Sequence, residues 1–252
     1  MAPTIAVVIP AFNEEARLGA TLRAVADFGR SSGSPMAVVL ADDGSSDRTA
    51  DVAERTAGDE SLNLTVLHLP HAGKAGAVRS GILHAATSTD AQYLLMLDAD
   101  NEIGVDQLAG VKWTEDASTI YIGRRVGSKG DKYGARQRPI RRLMSTGMRM
   151  LSRLLLGLKF SDSQCGFKLF PRDLAVGLFG QQRSRGWVFD AELLVIAARS
   201  GIPIVEVPVL WSPRGVSRVR SSAAIASVLE VLAIAIRKAI GRYRPVGHGP
   251  AS

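Results

Sequence analysis

The chain has 252 residues, of which 46% are hydrophobic and 22% charged, enough to bury a sizeable core in one α/β-sized domain or one domain with an appendage. Its single cysteine, Cys165, excludes an internal disulfide framework and fits a reducing compartment; the formal net charge of +7 points to an anionic partner, whether nucleic acid, a membrane surface or a phosphate-rich substrate. No basic n-region precedes the apolar run 5–9, which is too short for a secretory h-region, so export is not expected.

Residues 4–10 (T-I-A-V-V-I-P) form a β-branched run, the pattern of a first buried strand, and Pro10 ends it. Asn13 then stands where an N-cap would, Glu14 and Glu15 suit a first helical turn, and Leu18, Leu22 and Val25 recur at helical spacing. Residues 36–40 repeat the strand. The following D-D-G-S-S-D-R-T (42–49) leads into a second helix, with Gly44 permitting a tight turn and either Ser45 or Ser46 placed to cap. A third strand at 62–67 precedes H-A-G-K-A-G-A-V-R (71–79). Small residues there let the backbone approach a ligand and place Lys74 and Arg79 to meet phosphate, although the stretch also fits a plain glycine-containing helix start.

Residues 93–97 (Y-L-L-M-L) are uniformly apolar, as in a strand buried on both faces of a parallel sheet. The polarity then flips, with Asp98, Asp100 and Glu102 at alternate positions. Burying unpaired charge is costly, and a hard divalent cation, Mg2+ or Mn2+, held by such carboxylates together with substrate phosphates would account for them. An isolated Asp-x-Asp equally fits a solvated loop. The repeated β-α units predict a parallel sheet that binds ligands beyond the carboxyl ends of its strands. Three of those ends carry acidic or Asn residues: Asn13 with Glu14, Asp42 with Asp43, and Asp98 with Asp100.

The segments V-V-I-P-A-F-N-E-E-A-R-L (7–18), A-D-D-G-S-S-D-R-T (41–49), H-A-G-K-A-G-A-V-R-S-G (71–81) and L-D-A-D-N-E (97–102), in this order, resemble the inverting glycosyltransferases of the GT-A fold. More narrowly, they resemble the polyprenyl-phosphate sugar synthases that make dolichyl-phosphate glucose and dolichyl-phosphate mannose. The resemblance runs over roughly residues 4–220. It implies a Rossmann-like, mostly parallel sheet flanked by helices and a nucleotide-sugar donor. Pro10, Ala11, Phe12, Glu14, Asp42 and Asp43 would surround the base and ribose; Lys74, Asp98, Ala99 and Asp100 would meet the diphosphate and metal, with Glu102 as a further metal ligand.

In the second half, residues 120–123 read as a strand ending in Gly123-Arg124-Arg125, where the family has Gly-Ser-Arg; Arg125 matches the phosphate-contacting arginine and Arg124 departs from the pattern. Residues 136–159 place Ile140, Leu143, Met144, Met148, Leu151, Leu154, Leu155 and Leu158 close to one helical face and Arg138, Arg141, Arg142, Ser145, Arg149 and Arg153 on the other, with Gly147 and Gly157 as weak points. Such a helix suits either a core with a solvated basic face or a membrane interface, and the resemblance favours the membrane. The resemblance also assigns Arg141 and Ser145 to the acceptor phosphate.

S-D-S-Q-C-G-F-K-L-F (161–170) and W-V-F-D-A-E-L-L (187–194) resemble segments of dolichyl-phosphate glucose synthases, which makes Gln164 and Lys168 candidate site residues, with Lys168 at the acceptor phosphate. Asp190 reads as a helix N-cap, as a contact to sugar hydroxyls together with Asp162, or both, and Cys165 as a packed small residue. Trp211 to Arg218 is similar to a loop that closes over the donor diphosphate through Arg214, Ser217 and Arg218.

A C-terminal amphipathic helix at 221–241, interrupted by Glu230 and too polar to span a bilayer, and a disordered tail at 242–252 complete the expected domain plan after a 1–220 catalytic domain. The implied reaction moves a hexose, most simply from UDP-glucose, with inversion to a polyprenyl or dolichyl phosphate. The protein would act as a peripheral membrane protein on the cytoplasmic face. Arg125, Arg214 and Arg218 and the metal would neutralise the leaving diphosphate. The rivals are a GDP-mannose donor and a soluble acceptor, the latter needing a general base such as Asp190. No base-stacking aromatic array accompanies the arginines, so nucleic acid is not expected as a partner.

Overall fold

The computed structural model describes residues 3–127, 150, 152–212 and 222–247. Strand β1 (Ile5–Ala11) is buried from Ala6 onward. It pairs in parallel with β2 (Ala37–Asp42) on one side and β4 (Tyr93–Leu97) on the other, and β2 pairs in parallel with β3 (Asn63–His68). Parallel neighbours need long crossovers. Helices α1 (Leu18–Ser32), α2 (Thr49–Glu60) and α3 (Lys74–Ser88) supply them.

Alternation along β1 divides the core into two layers. Val7 and Ile9 pack with Leu18, Leu22 and Val25 of α1 and Ala53 of α2, while Ala6 and Val8 pack with Val78, Ile82 and Ala85 of α3. Both faces of the strand are covered, which is why its sequence is apolar without a polar beat.

The sheet has seven strands in the order β3-β2-β1-β4-β6-β5-β7. β5 (Ile120–Val126) and β7 (Ile204–Leu210) pair in parallel, and β6 (Phe167–Pro171) runs antiparallel between β4 and β5. Helices α4 (Arg172–Gly180) and α5 (Phe189–Arg199) follow β6, and α6 (Ser222–Ala239) covers the same layer as α3, burying Val231 and Ile234. The expected α/β, mostly parallel sheet flanked by helices is the architecture found. No described helix is long and apolar enough to cross a membrane.

Several local expectations are corrected. Asn13 is not an N-cap: it sits at φ +54°, its Oδ1 accepts from Ser46 N at 2.8 Å, and α1 starts later, at Leu18. Neither Ser45 nor Ser46 caps α2. Ser45 donates its hydroxyl to Asp42, Arg48 holds the N-cap position without a side-chain cap, and Asp47 accepts from Thr49 N at 3.0 Å and Glu15 N at 3.2 Å. Of the 136–159 stretch only residues 150 and 152–159 are described; helix runs over 152–156 and Gly157, at φ +71°, ends it. Leu154 and Leu155 face outward there while Leu158 is buried, so the apolar residues do not share one face to the end.

The tail is also corrected over residues 242–247. Arg242 N donates to Arg237 O (2.9 Å), Tyr243 is buried, Arg244 N donates to Gln181 Oε1 (2.6 Å) and Val246 N to Ser200 Oγ (2.8 Å). An aromatic ring and three satisfied amides fasten a segment whose polar composition reads as free chain.

Candidate active site

The carboxyl ends of β1, β2 and β4 lie side by side, with Ala11 in register with Asp42 and Asp42 with His68. At the end of β1, Pro10 and Ala11 are buried and Phe12 projects beyond, its ring tilted 34° against His71 at 4.4 Å between centroids. Glu14 holds Arg17 in a two-pronged pair at 2.7 and 2.8 Å. Asp43 is buried. Its carboxylate accepts from Ala72 N (2.7 Å) and Gly73 N (2.9 Å) and meets His71 Nδ1 at 2.9 Å, fixing the turn before α3. Gly44, at φ +71°, lets β2 turn where a side chain would press on Leu69 O and His71 N, each 3.2 Å from a Cβ position.

That turn delivers Lys74, the first residue of α3, to Asp98 at the end of β4: Nζ to Oδ1 is 2.5 Å. Burial works to lower the Lys74 pKa, and the charges of Asp98 and Asp190 override it, leaving it raised. Asp98 presses against Gly166 from the other side, so closely that any Cβ at 166 would overlap the carboxylate. Thr21 of α1 donates to Ala99 O at 2.7 Å, holding the turn between the two aspartates. The Asp100 pKa is raised, by burial first and by the Asp98 charge second.

Glu102 accepts from the Trp211 indole at 2.9 Å, and the Arg125 guanidinium lies 5.7 Å from the centre of the Trp211 ring while pairing with Asp162 at 2.7 and 2.9 Å. Burial tends to raise the Asp162 carboxyl, and Arg125 outweighs it, holding the pKa below the usual carboxylate range. A cavity of about 50 Å³ lies among Asp98, Asp100, Glu102, Arg125, Gln164 and Trp211. It is large enough for a water or an ion and far too small for a nucleotide. A larger open groove of about 650 Å³ runs along α2 and β3 and carries none of these residues.

Lys168 and Asp190 are placed differently from their sequence-based roles. Asp190 is not an N-cap; Val188 holds that position, and the Asp190 carboxylate turns inward to Lys168 Nζ at 3.0 Å. Lys168 is 1% exposed and also donates to Cys165 O, so its ammonium is spent inside the protein rather than directed at an acceptor. Burial against partial compensation by Lys168 and Lys74 leaves the Asp190 pKa raised. Cys165 is buried and its thiol is pushed up to about 11, first by burial, in keeping with a packed residue rather than a nucleophile. Arg141, Ser145, Arg214, Ser217 and Arg218 lie outside the described residues.

Among the described residues no group of three or more His, Cys, Asp or Glu converges as a metal-ligand set, and Glu102 is turned toward Trp211. Asp98 and Asp100 nevertheless fit a divalent cation. Asp98 Oδ1 is buried with no hydrogen-bond partner beyond its ion pair, and Asp100, its pKa raised by burial first and by the Asp98 charge second, stands beside it as a second carboxylate.

Sequence reasoning missed the seat that Gly166 makes for Asp98, the Arg125–Asp162 pair and the role of Trp211. Each joins residues distant in the chain, and local pattern carries no signal for such contacts.

A sheet of this order, with carboxylates, a lysine and an arginine gathered at its carboxyl edge, is the GT-A fold. The chain belongs to glycosyl transferase family 2, whose pattern matches residues 6–179. It is 32% identical to a dolichyl-phosphate beta-glucosyltransferase of Trichomonas vaginalis over 95% of this chain and 75% of the relative. The dolichyl-phosphate beta-glucosyltransferases of Drosophila melanogaster and Homo sapiens are 34% and 31% identical, each over 82% of this chain and 67% of the relative. Glucosyl-3-phosphoglycerate synthase from Mycobacterium tuberculosis, in complex with phosphoglyceric acid, shares the fold at a TM-score of 0.64 and 18% identity, over 94% of this chain and 80% of that one. That enzyme has also been crystallised with Mn2+, UDP-glucose and glycerol 3-phosphate.

Proposed function

We propose that this glycosyltransferase moves glucose from UDP-glucose to a dolichyl or other polyprenyl phosphate, with inversion at the anomeric carbon, as a peripheral protein on the cytoplasmic face of a membrane. The observation that carries the reading is the placement of Asp98, which is clamped between Lys74 and Gly166 beside Asp100 at the carboxyl edge of the sheet. The named activity of the relatives supports the sugar and the acceptor.

Asp98 and Asp100 would hold Mg2+ or Mn2+, which when bound neutralises charge on the donor diphosphate. Lys74 and Arg125 add fixed positive charge on either side, already oriented by Asp98 and Asp162, so little reorganisation accompanies bond cleavage. Phe12, packed against His71, offers an exposed ring to the base.

The acceptor phosphate is anionic near neutral pH, so no strong general base is needed. Asp190, buried against Lys168, is left to a positioning role. Arg141 and Ser145 are assigned to the acceptor phosphate and Arg214 and Arg218 to closing over the donor. Outward-facing Leu229, Leu232 and Ile236 of α6 and Ile240 just beyond it, together with Leu154 and exposed Arg153, Lys159 and Arg242, support contact with an anionic bilayer.

The test is a panel of UDP-glucose, UDP-galactose, UDP-N-acetylglucosamine and GDP-mannose offered with a short polyprenyl phosphate and Mn2+, reading product mass and released nucleotide. A glucosyl-phosphate lipid from UDP-glucose is expected. A mannosyl lipid from GDP-mannose would correct the donor, and nucleotide release without lipid product would overturn the acceptor.

A further inference from the structure

Glu230 is the single acid of α6; it is half-buried, and its carboxylate is taken up by backbone N–H groups. Oε1 accepts from Arg185 N (3.2 Å) and Gly186 N (2.7 Å), and Oε2 from Val188 N (3.3 Å). Buried Glu192 of α5 takes the preceding amides, Arg183 N (2.8 Å) and Ser184 N (2.6 Å), and is itself held by Arg237 and Tyr243 at 3.2 and 2.7 Å. Two carboxylates thus absorb the backbone N–H groups of 183, 184, 185, 186 and 188 and fix the course of a partly exposed loop. Gly186 is part of the fit, since a Cβ there would stand 2.6 Å from Glu230 Oε2.

This loop and the residue before it touch neighbours of the site. Gln182 donates to Ala75 O at 3.1 Å, next to Lys74; Trp187 O accepts from Gln164 at 3.4 Å; and the loop runs directly into the first turn of α5, which carries Asp190.

We propose that Glu230 is a positioning residue for the transfer reaction: it sets the 183–188 loop, and through it Gln164 and Asp190, from a helix that also carries the outward apolar residues Leu229, Leu232 and Ile236. The proposal rests on the glycosyl-transfer reading given above. It makes α6 a working part of the catalytic domain, because the seating of its outer face reaches the site through one carboxylate. Replacing that carboxylate by an amide leaves one acceptor atom for three N–H groups and tilts the loop without touching the base and ribose side of the site at β1 and β2.

The experiment compares wild type with Glu230→Gln and Gly186→Ala, measuring kcat and KM for transfer, affinity for UDP with Mn2+ by calorimetry, and amide hydrogen exchange over 183–188. Both variants are expected to lose roughly 10- to 100-fold in kcat, with UDP affinity retained and faster exchange confined to the loop. Gly186→Ala keeps the carboxylate and displaces it from the other side, so the proposal stays testable if Glu230→Gln does not fold. Wild-type kcat in a variant whose loop exchanges faster would overturn it, and so would a kcat loss accompanied by an equal loss of UDP affinity. Wild-type protein that transfers no sugar would sink the functional reading instead; unchanged exchange in both variants would then overturn the clamp, and faster exchange confined to the loop would uphold it.

Discussion

Lys74 Nζ and Asp98 Oδ1 stand 2.5 Å apart, joining the first turn of α3 to the end of β4 across the carboxyl edge of the sheet. The pair orients a carboxylate toward the donor and holds a cation ready for a phosphate, so its two members are expected to fail differently. Lys74→Met should raise the donor KM and lower kcat; Asp98→Asn should abolish turnover while the fold persists. Both side chains stay partly exposed (26% and 34%), so breaking the pair should cost only about 1–2 kcal/mol, below the value for a fully buried pair. Steady-state kinetics and urea unfolding of the two variants check this.

Gly166→Ala tests the seat of Asp98 from behind. The added methyl overlaps the carboxylate, which must then move off Lys74 or push β6 aside. A displacement of this kind is expected to cost about 100-fold in kcat. Far-ultraviolet circular dichroism should remain that of the wild type. Wild-type kcat in a well-folded Gly166→Ala protein would show that Asp98 tolerates another position.

Lys168 and Asp190 are nearly fully buried, at 1% and 6% side-chain exposure. Lys168→Met would strand the aspartate, at a cost of about 3–5 kcal/mol. Adding Asp190→Leu to it should recover much of that stability. The recovery appears as a coupling energy in a double-mutant cycle by chemical denaturation. Additive losses would mean that the two charges do not depend on one another.

Asp162 gives the pH dependence. Its folded-state pKa lies below the unfolded value, so its pairing with Arg125 contributes stability above the unfolded pKa, and that contribution is lost as pH falls from about 4 through the folded pKa. Asp162→Asn should therefore flatten the acid limb of the stability profile while changing little of its shape near neutrality. Thermal melts between pH 2.5 and 7 measure it. A variant whose acid limb keeps the wild-type slope would remove Asp162 from the account.

The central part of the fold was readable because it is local. The runs at β1, β2 and β4 are apolar throughout, and the acidic residues stand where those strands stop. The contacts that aim the site are of another kind. β6 carries Lys168 into the core, where Asp190 of α5 and the Cys165 carbonyl meet its ammonium. Asn13 looked like a cap because its neighbours have helical spacing, but Ser45 and Ser46 from the next crossover hold it in a left-handed turn. Tyr243 seemed to belong to a free tail because its partner, Glu192, lies 51 residues away in sequence. Glu230 looked like an interruption of an apolar helix, and three backbone N–H groups account for it.

The most direct test of the account is the mass of the lipid product formed from UDP-glucose and a short polyprenyl phosphate by wild type and by Asp98→Asn, each with Mn2+ and with excess EDTA. A glucosyl-phosphate lipid from wild type with Mn2+ alone is the predicted result. The same product in EDTA, or from Asp98→Asn at the wild-type rate, would contradict the assignment of the site to Asp98 and its metal.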